Sequence, residues 1–199
     1  MAGRSRKIGH LPDNQPFRII LGAGDQTWPG WIATDRETLD LLRPDQWATV
    51  FKERRADAFL CEHVWEHLTE DQGRAAAALC YRWLQPGGYL RCAVPDSNFP
   101  DPEYRKKARV GGPGPADHPA ADHKVLYDHQ RLTDLLEGEG FLVDLLEYCD
   151  ERGRFHFHQW AIEDGPVYRS LLLDHRNQEG RITNVSLILD AHKPKSIRR

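Results

Sequence analysis

The chain lacks the features that would place it in several large classes. Its 199 residues contain a single Met and four Cys, and no apolar run approaches the roughly 18 residues a membrane-spanning helix needs. The basic start, Met1 to Lys7, runs into polar residues and Pro12 without an apolar core, which is not the pattern of an export signal. No CxxC pair occurs; Cys61, Cys92 and Cys149 sit in strand-like apolar runs, where Cys acts as a small buried hydrophobe. A reduced, cytoplasmic setting is the expectation. Charge of one sign is also missing, because 27 basic side chains face 30 acidic ones for a net charge of −3. No global basic excess draws the chain to nucleic acid or to an anionic membrane.

What is present is an ordinary globular composition, 40% hydrophobic and 29% charged, in a length suited to one domain spanning 1–199. The run Phe17 to Leu21 reads as a buried strand that stops at Gly22, and Trp31 to Thr34 as a second strand ending at Asp35. Residues 36–51 are ambiguous: Leu39-Asp40-Leu41 suits a brief strand, and Pro44 to Phe51 a short helix with proline in its first turn. Ala58 to Cys61 is the next strand. Thr69 is a helix cap for about residues 70–84, and Pro86-Gly87-Gly88 ends that helix before a strand at Tyr89 to Val94.

Residues 97–124 form a long Pro-, Gly-, Asp- and His-rich loop. A helix around Leu132 to Leu136 and strands at Phe141 to Tyr148 and Val185 to Leu189 follow, with a polar stretch at 151–182. Strands that alternate with helices predict an α/β sheet, mostly parallel, with ligands at the carboxyl ends of its strands. That directs attention to Gly22–Asp25, Asp35, Glu62–His67 and Asp96–His123.

Glycines in the Gly22-Ala23-Gly24 turn allow positive φ and a close approach of backbone to ligand; the plainer reading is a tight turn. A carboxylate at Asp35 suits the two hydroxyls of a ribose, or a helix cap. Further on, Glu62-His63-Val64-Trp65-Glu66-His67-Leu68 follows a strand, and Leu84-Gln85-Pro86-Gly87-Gly88 leads into Val94-Pro95-Asp96. This ordered set resembles the class I methyltransferases that use S-adenosylmethionine, of the type 11 kind. The resemblance covers about residues 17–96 well and continues more loosely to 148.

It implies a Rossmann-like, mostly parallel sheet with an antiparallel C-terminal hairpin, and a first helix reduced to a turn around Trp28-Pro29-Gly30. It implies S-adenosylmethionine over Gly22, Ala23 and Gly24, with the ribose on Asp35. The Leu39–Trp47 region, including Asp40 and Trp47, would flank the adenine, and Cys61, Glu62 and His63 would face the methionine part. Two departures stand out: Ile20 where the family often has an acidic residue, and Gln26 in place of the third glycine.

Methyl transfer asks the protein mainly to align a nucleophile and exclude water. His123, Tyr127 and His63 are the candidates for proton removal. Asp96 either contacts substrate or caps a loop. The Asn/Asp-Pro-Pro-aromatic tetrapeptide of amino-methylating enzymes is replaced by Glu62-His63-Val64-Trp65, and the sequence shows no target-recognition domain or basic stripe. A small-molecule substrate is therefore expected, with 97–127 and 151–182 as covers and Arg154, Arg169, Arg176 and Arg181 as anion clamps or a solvated face. Neither nucleic acid nor membrane is expected as a partner.

Two rivals remain at this level. One is a methyltransferase-like domain that binds without turnover. The other is a zinc hydrolase, because His63-Val64-Trp65-Glu66-His67 also fits HxxEH; no metal is assigned. The pair His156 and His158, on one face of a strand, fits either the start of a metal site or exposed polar side chains.

Overall fold

A computed structural model describes residues 15–112 and 119–195. Met1–Lys7 and His118 lie outside the described residues. The strands are β1 (Arg18–Leu21), β2 (Ile32–Ala33), β3 (Ala56–Glu62), β4 (Leu84–Pro95), β5 (Leu142–Cys149), β6 (Phe155–Phe157) and β7 (Ser186–His192). The helices are α1 (Pro44–Phe51), α2 (Glu70–Trp83), α3 (Pro102–Ala108) and α4 (His129–Glu137). One sheet runs in the order β2-β1-β3-β4-β7-β5-β6. The pairs β2/β1, β1/β3 and β3/β4 are parallel, and β7 enters antiparallel between β4 and β5. Strands β1 to β5 therefore all point one way. The Rossmann-like sheet with an antiparallel C-terminal element is as expected.

Local chemistry explains the helices. Thr69 closes α2 with a capping box: its hydroxyl accepts from Gln72 N at 3.3 Å and Gln72 Oε1 accepts from Thr69 N at 3.0 Å. Asp128 caps α4 through Arg131 N at 2.7 Å, and Pro44 opens α1. The alternation of strand side chains then separates two cores. Ile19, Leu21, Phe59, Cys61, Leu90, Cys92, Leu187 and Leu189 face one way, where Trp47 and Phe51 of α1, Ala76 and Cys80 of α2, and Leu132 and Leu136 of α4 cover them. Ile20, Ala58, Leu60, Ala93 and Ile188 face the other way.

Among the described residues no α-helix packs on that second face. Only a turn joins β1 to β2, as the reduced first helix predicts. In its place lie Trp31 and the stretch that carries Trp160 and Val167. A large part of the polar 151–182 segment is thus a sheet cover, held by the buried Arg91, whose Nη1 donates to the carbonyls of Ala161 (3.1 Å) and Gly165 (2.8 Å).

Three local expectations change. Leu39–Leu41 is a turn, because Asp40 Oδ1 accepts from Leu42 N at 2.8 Å and Asp40 N donates to Gln46 Oε1 at 2.7 Å; both Asp40 groups are spent locally rather than on a ladder. The long loop contains α3, capped by Asp101 on Tyr104 N at 2.7 Å. Strand β4 starts at Leu84, which already pairs with Ala56 before a bulge at Pro86-Gly87-Gly88 restores pairing at Tyr89.

Candidate active site

The site lies at the carboxyl ends of β1, β2 and β3. Ala23 N donates to Thr34 O at 2.7 Å and Thr34 N to Ile20 O at 2.9 Å, so the glycine turn is tied to the end of β2 and Asp35 stands beside it. Gly22 (φ 64°) and Gly24 (φ 53°) both occupy the left-handed region. A Cβ on Gly22 would lie 2.6 Å from Val64 Cγ2, whereas a Cβ on Gly24 would meet nothing within 4 Å. The first glycine is required by the protein's own packing; the second leaves an open backbone cradle.

Asp35 spends one carboxylate oxygen on the chain and leaves the other without a partner among the described residues. Its Oδ1 accepts from Glu37 N (3.1 Å), Thr38 N (3.2 Å) and Thr38 Oγ1 (3.2 Å), while Oδ2 makes no hydrogen bond among the described residues. The capping role therefore uses one oxygen and leaves the other available. A pocket of about 220 Å³ opens alongside, lined by Gly22, Leu39, Asp40, Leu42, Val64 and His67 among others.

Other expected site residues sit elsewhere. Trp47 is wholly buried, stacks on Phe51 with centroids 5.5 Å apart, and donates its indole N–H to Asp40 O at 2.9 Å. It supports the Asp40 turn from beneath and presents no face to a ligand. The Cys61 side chain is likewise enclosed in the helix-covered core. Glu62 is committed to the chain: its carboxylate accepts from Gln26 Nε2 (3.1 Å), Tyr168 N (2.9 Å) and Arg169 N (2.8 Å), which fastens the 165–170 stretch over the end of β3.

The candidate bases are also constrained. His63 has φ 55°, and both ring nitrogens are engaged, Nε2 with Ser186 Oγ at 2.9 Å and Nδ1 with Glu66 Oε1 at 3.0 Å. Ser186 Oγ donates its only hydrogen to Arg169 O at 2.8 Å, so His63 Nε2 must carry the proton in its own contact. Tyr127 is 1% exposed, and burial pushes its phenol far above the usual range, so it holds its proton near neutrality. His123 is buried, with Nδ1 on Ala108 O at 3.0 Å. Asp96 resolves as a cap: it is fully buried and accepts from Asn98 N (2.8 Å) and Cys149 N (2.6 Å).

The HxxEH motif does not form a zinc-hydrolase helix. Trp65–His67 is one 3-10 turn, and His63 precedes it in a left-handed conformation with its ring turned to Ser186 and Glu66. The motif nevertheless matters, because that turn brings Val64 and His67 to the pocket wall. Neither residue could be assigned to the wall from spacing alone, since the helical and turn readings aim them differently.

Comparisons with known proteins agree with this geometry. The family model described as "Methyltransferase domain" matches residues 32–92, from β2 into β4. No curated protein matches the chain. Among solved structures, a SAM-dependent methyltransferase from Archaeoglobus fulgidus superposes with TM-score 0.52 at 13% identity, covering 90% of this chain and 87% of that one. A structure from Thermotoga maritima, titled a SAM-dependent methyltransferase and possible histamine N-methyltransferase, gives 0.50 at 15% identity, covering 92% and 84%. The putative methyltransferase solved in complex with the Trm112 activator of Haloferax volcanii gives 0.51 at 12% identity, covering 90% and 83%.

The methyltransferase family model thus matches residues 32–92, and the chain shares its fold with SAM-dependent methyltransferases over about nine-tenths of its length. S-adenosylmethionine is the cofactor of that class. The residues present fit it: an open glycine cradle at Gly24, a carboxylate oxygen left over on Asp35, and a pocket between Gly22 and the Asp40 turn.

Proposed function

We propose that this chain transfers a methyl group from S-adenosylmethionine to a small-molecule nucleophile. The observation that carries the reading is the pairing of the exposed left-handed Gly24 with the unspent Oδ2 of Asp35, side by side at the ligand edge of the sheet. The Gly22–Gly24 backbone and Asp35 would hold the nucleoside, with the Asp40–Leu42 turn beside them. The bound sulfonium supplies an already activated methyl group. The chain's own task is then alignment and exclusion of water. Loss of His63 and Tyr127 as bases is consistent with that division of labour, because a nucleophile with a lone pair needs orientation more than proton removal.

A small substrate is supported by the net charge of −3, which provides no field for a phosphate backbone. The Thermotoga neighbour's title, naming a small amine, points in the same direction.

The test is thermal stability with S-adenosylhomocysteine. At ~100 times its dissociation constant the ligand should add about 2.7 kcal/mol, a rise of roughly 5–10 °C at this chain length. Asp35→Asn, which keeps an oxygen for the Thr38 cap, should hold the unliganded melting temperature and lose most of the rise. No rise in the wild type would overturn cofactor binding. S-adenosylhomocysteine formation with nucleic acid but not with a panel of small amines, phenols and thiols would overturn the substrate class.

A further inference from the structure

We propose that Glu66, His67 and His123 form a binding site for one divalent transition-metal ion, at the wall of the pocket beside Gly22. One ligand atom from each of the three lies within 4.8 Å of the other two. The His67 and His123 rings meet edge to face with centroids 5.0 Å apart. This set is not the HxxEH set, since both His63 ring nitrogens are engaged, with Ser186 and Glu66, and His123 arrives from a segment more than fifty residues further along the chain.

The independent observation is Glu66. Its side chain is 1% exposed; Oε1 is paired with His63 Nδ1 at 3.0 Å, while Oε2 receives no hydrogen bond from any other described residue. Buried carboxylates without hydrogen bonds are expensive and are found paired or on metals. Oε2 has no such contact in the structure.

The surroundings match what metal ligands need. His123 Nδ1 faces the Ala108 carbonyl at 3.0 Å, and a carbonyl only accepts, so Nδ1 carries the hydrogen and Nε2 is left with its lone pair. His67 Nδ1 lies 3.9 Å from the exposed Asp122 Oδ2, a charge contact without a hydrogen bond. The backbone is braced at the same place: Lys124 N and Val125 N both donate to Glu66 O, at 2.7 and 3.2 Å, and Lys124 Nζ donates to His67 O at 2.8 Å. These bonds pin the long loop to the 3-10 turn and bring His123 to Glu66.

Two imidazoles and one carboxylate make a three-ligand set that suits zinc or another borderline divalent ion and leaves a position open. Ligands at about 2.0–2.2 Å from one ion stand roughly 3.4 Å apart, so binding draws the three side chains together slightly. The half-exposed His67 and the exposed Asp122 and Lys124 border the pocket, which gives the ion a way in. Ion binding here stands or falls independently of methyl transfer.

The experiment is titration of chelator-treated full-length protein with Zn2+ by calorimetry, and with Co2+ by visible absorption. One equivalent with micromolar or tighter affinity, and Co2+ bands of a nitrogen- and oxygen-ligated ion, is the expected result. His123→Asn and Glu66→Gln should each weaken Zn2+ at least 100-fold, while the distant His192→Asn should leave it within threefold. Should either buried variant fail to fold, His67→Asn at the pocket wall is the substitute and should give the same loss. No stoichiometric binding, or binding that His67→Asn and His123→Asn leave intact, overturns the proposal.

Discussion

Arg91 on β4 and Asp190 on β7 face each other directly across the antiparallel ladder and form a buried two-pronged ion pair, Nε to Oδ1 and Nη2 to Oδ2, both at 2.8 Å. The same guanidinium lies 4.9 Å from the Trp160 ring centroid and donates to the carbonyls of Ala161 and Gly165. One side chain thus joins the centre of the sheet to the segment that covers the face without an α-helix. Asp190→Asn leaves the arginine charge buried against a neutral partner and should destabilise the fold by about 3 kcal/mol. Urea unfolding checks this, and a loss below about 1 kcal/mol would mean the pair is not what anchors the segment.

The two glycines of the β1 turn should respond differently to alanine. Gly22→Ala combines a left-handed backbone with a Cβ 2.6 Å from Val64 Cγ2 and should both lower stability and displace the pocket wall. Gly24→Ala meets no neighbour and should cost only about 1 kcal/mol for its backbone conformation. Because its Cβ fills the cradle, it should reduce S-adenosylhomocysteine affinity more than it reduces stability. Calorimetric binding set beside melting temperatures separates the two effects; equal damage from both substitutions would contradict the assignment.

Asp150 predicts an acid-side pH dependence. Its carboxylate accepts from Arg154 N (2.9 Å), His156 Nε2 (3.1 Å), Arg154 Nε (2.8 Å) and Arg152 N (3.0 Å). The Arg154 backbone bond, followed by His156, holds its pKa well below the usual carboxylate range. A carboxylate depressed in the folded state contributes stability above its ordinary pKa of about 3.9 and loses it as pH falls further. The urea midpoint of Asp150→Asn should therefore lie below wild type at pH 7, with the gap narrowing progressively once pH falls below about 3.9. A constant gap across that window would refute the role.

All four thiols are buried and unpaired. Burial pushes Cys149 up to about 12, and raises Cys61, Cys80 and Cys92 as well. Since the thiolate is the reactive form, a disulfide reagent at pH 8 should label none of them in the native protein within minutes and all four in denaturant. Rapid native labelling of even one would show that its strand or helix opens.

Much of this molecule was readable before folding was considered. Thr69 and Gln72 define a capping box by spacing, Pro44 opens a helix, and β-branched runs stop at Gly22 and Asp35. These signals are local, because each depends on residues within a few positions of one another. Gly22, Gly24 and Asp35 belong to the same category, since a turn after a strand is a short-range event.

The placement of Trp47, Cys61 and Glu62 was decided by tertiary structure. Each has the residue type and chain position of a ligand contact, but α1 and α2 bury the first two, and Gln26 with the 168–169 backbone takes the third. The cover of the second face depends on Arg91 meeting Asp190 across 99 positions. Likewise, Glu66 and His123 become neighbours only because Lys124 and Val125 hydrogen-bond to the 3-10 turn. Sequence periodicity reports which residues share a face of one element; which faces then meet is a matter of long-range packing and of where each buried polar group finds its partner.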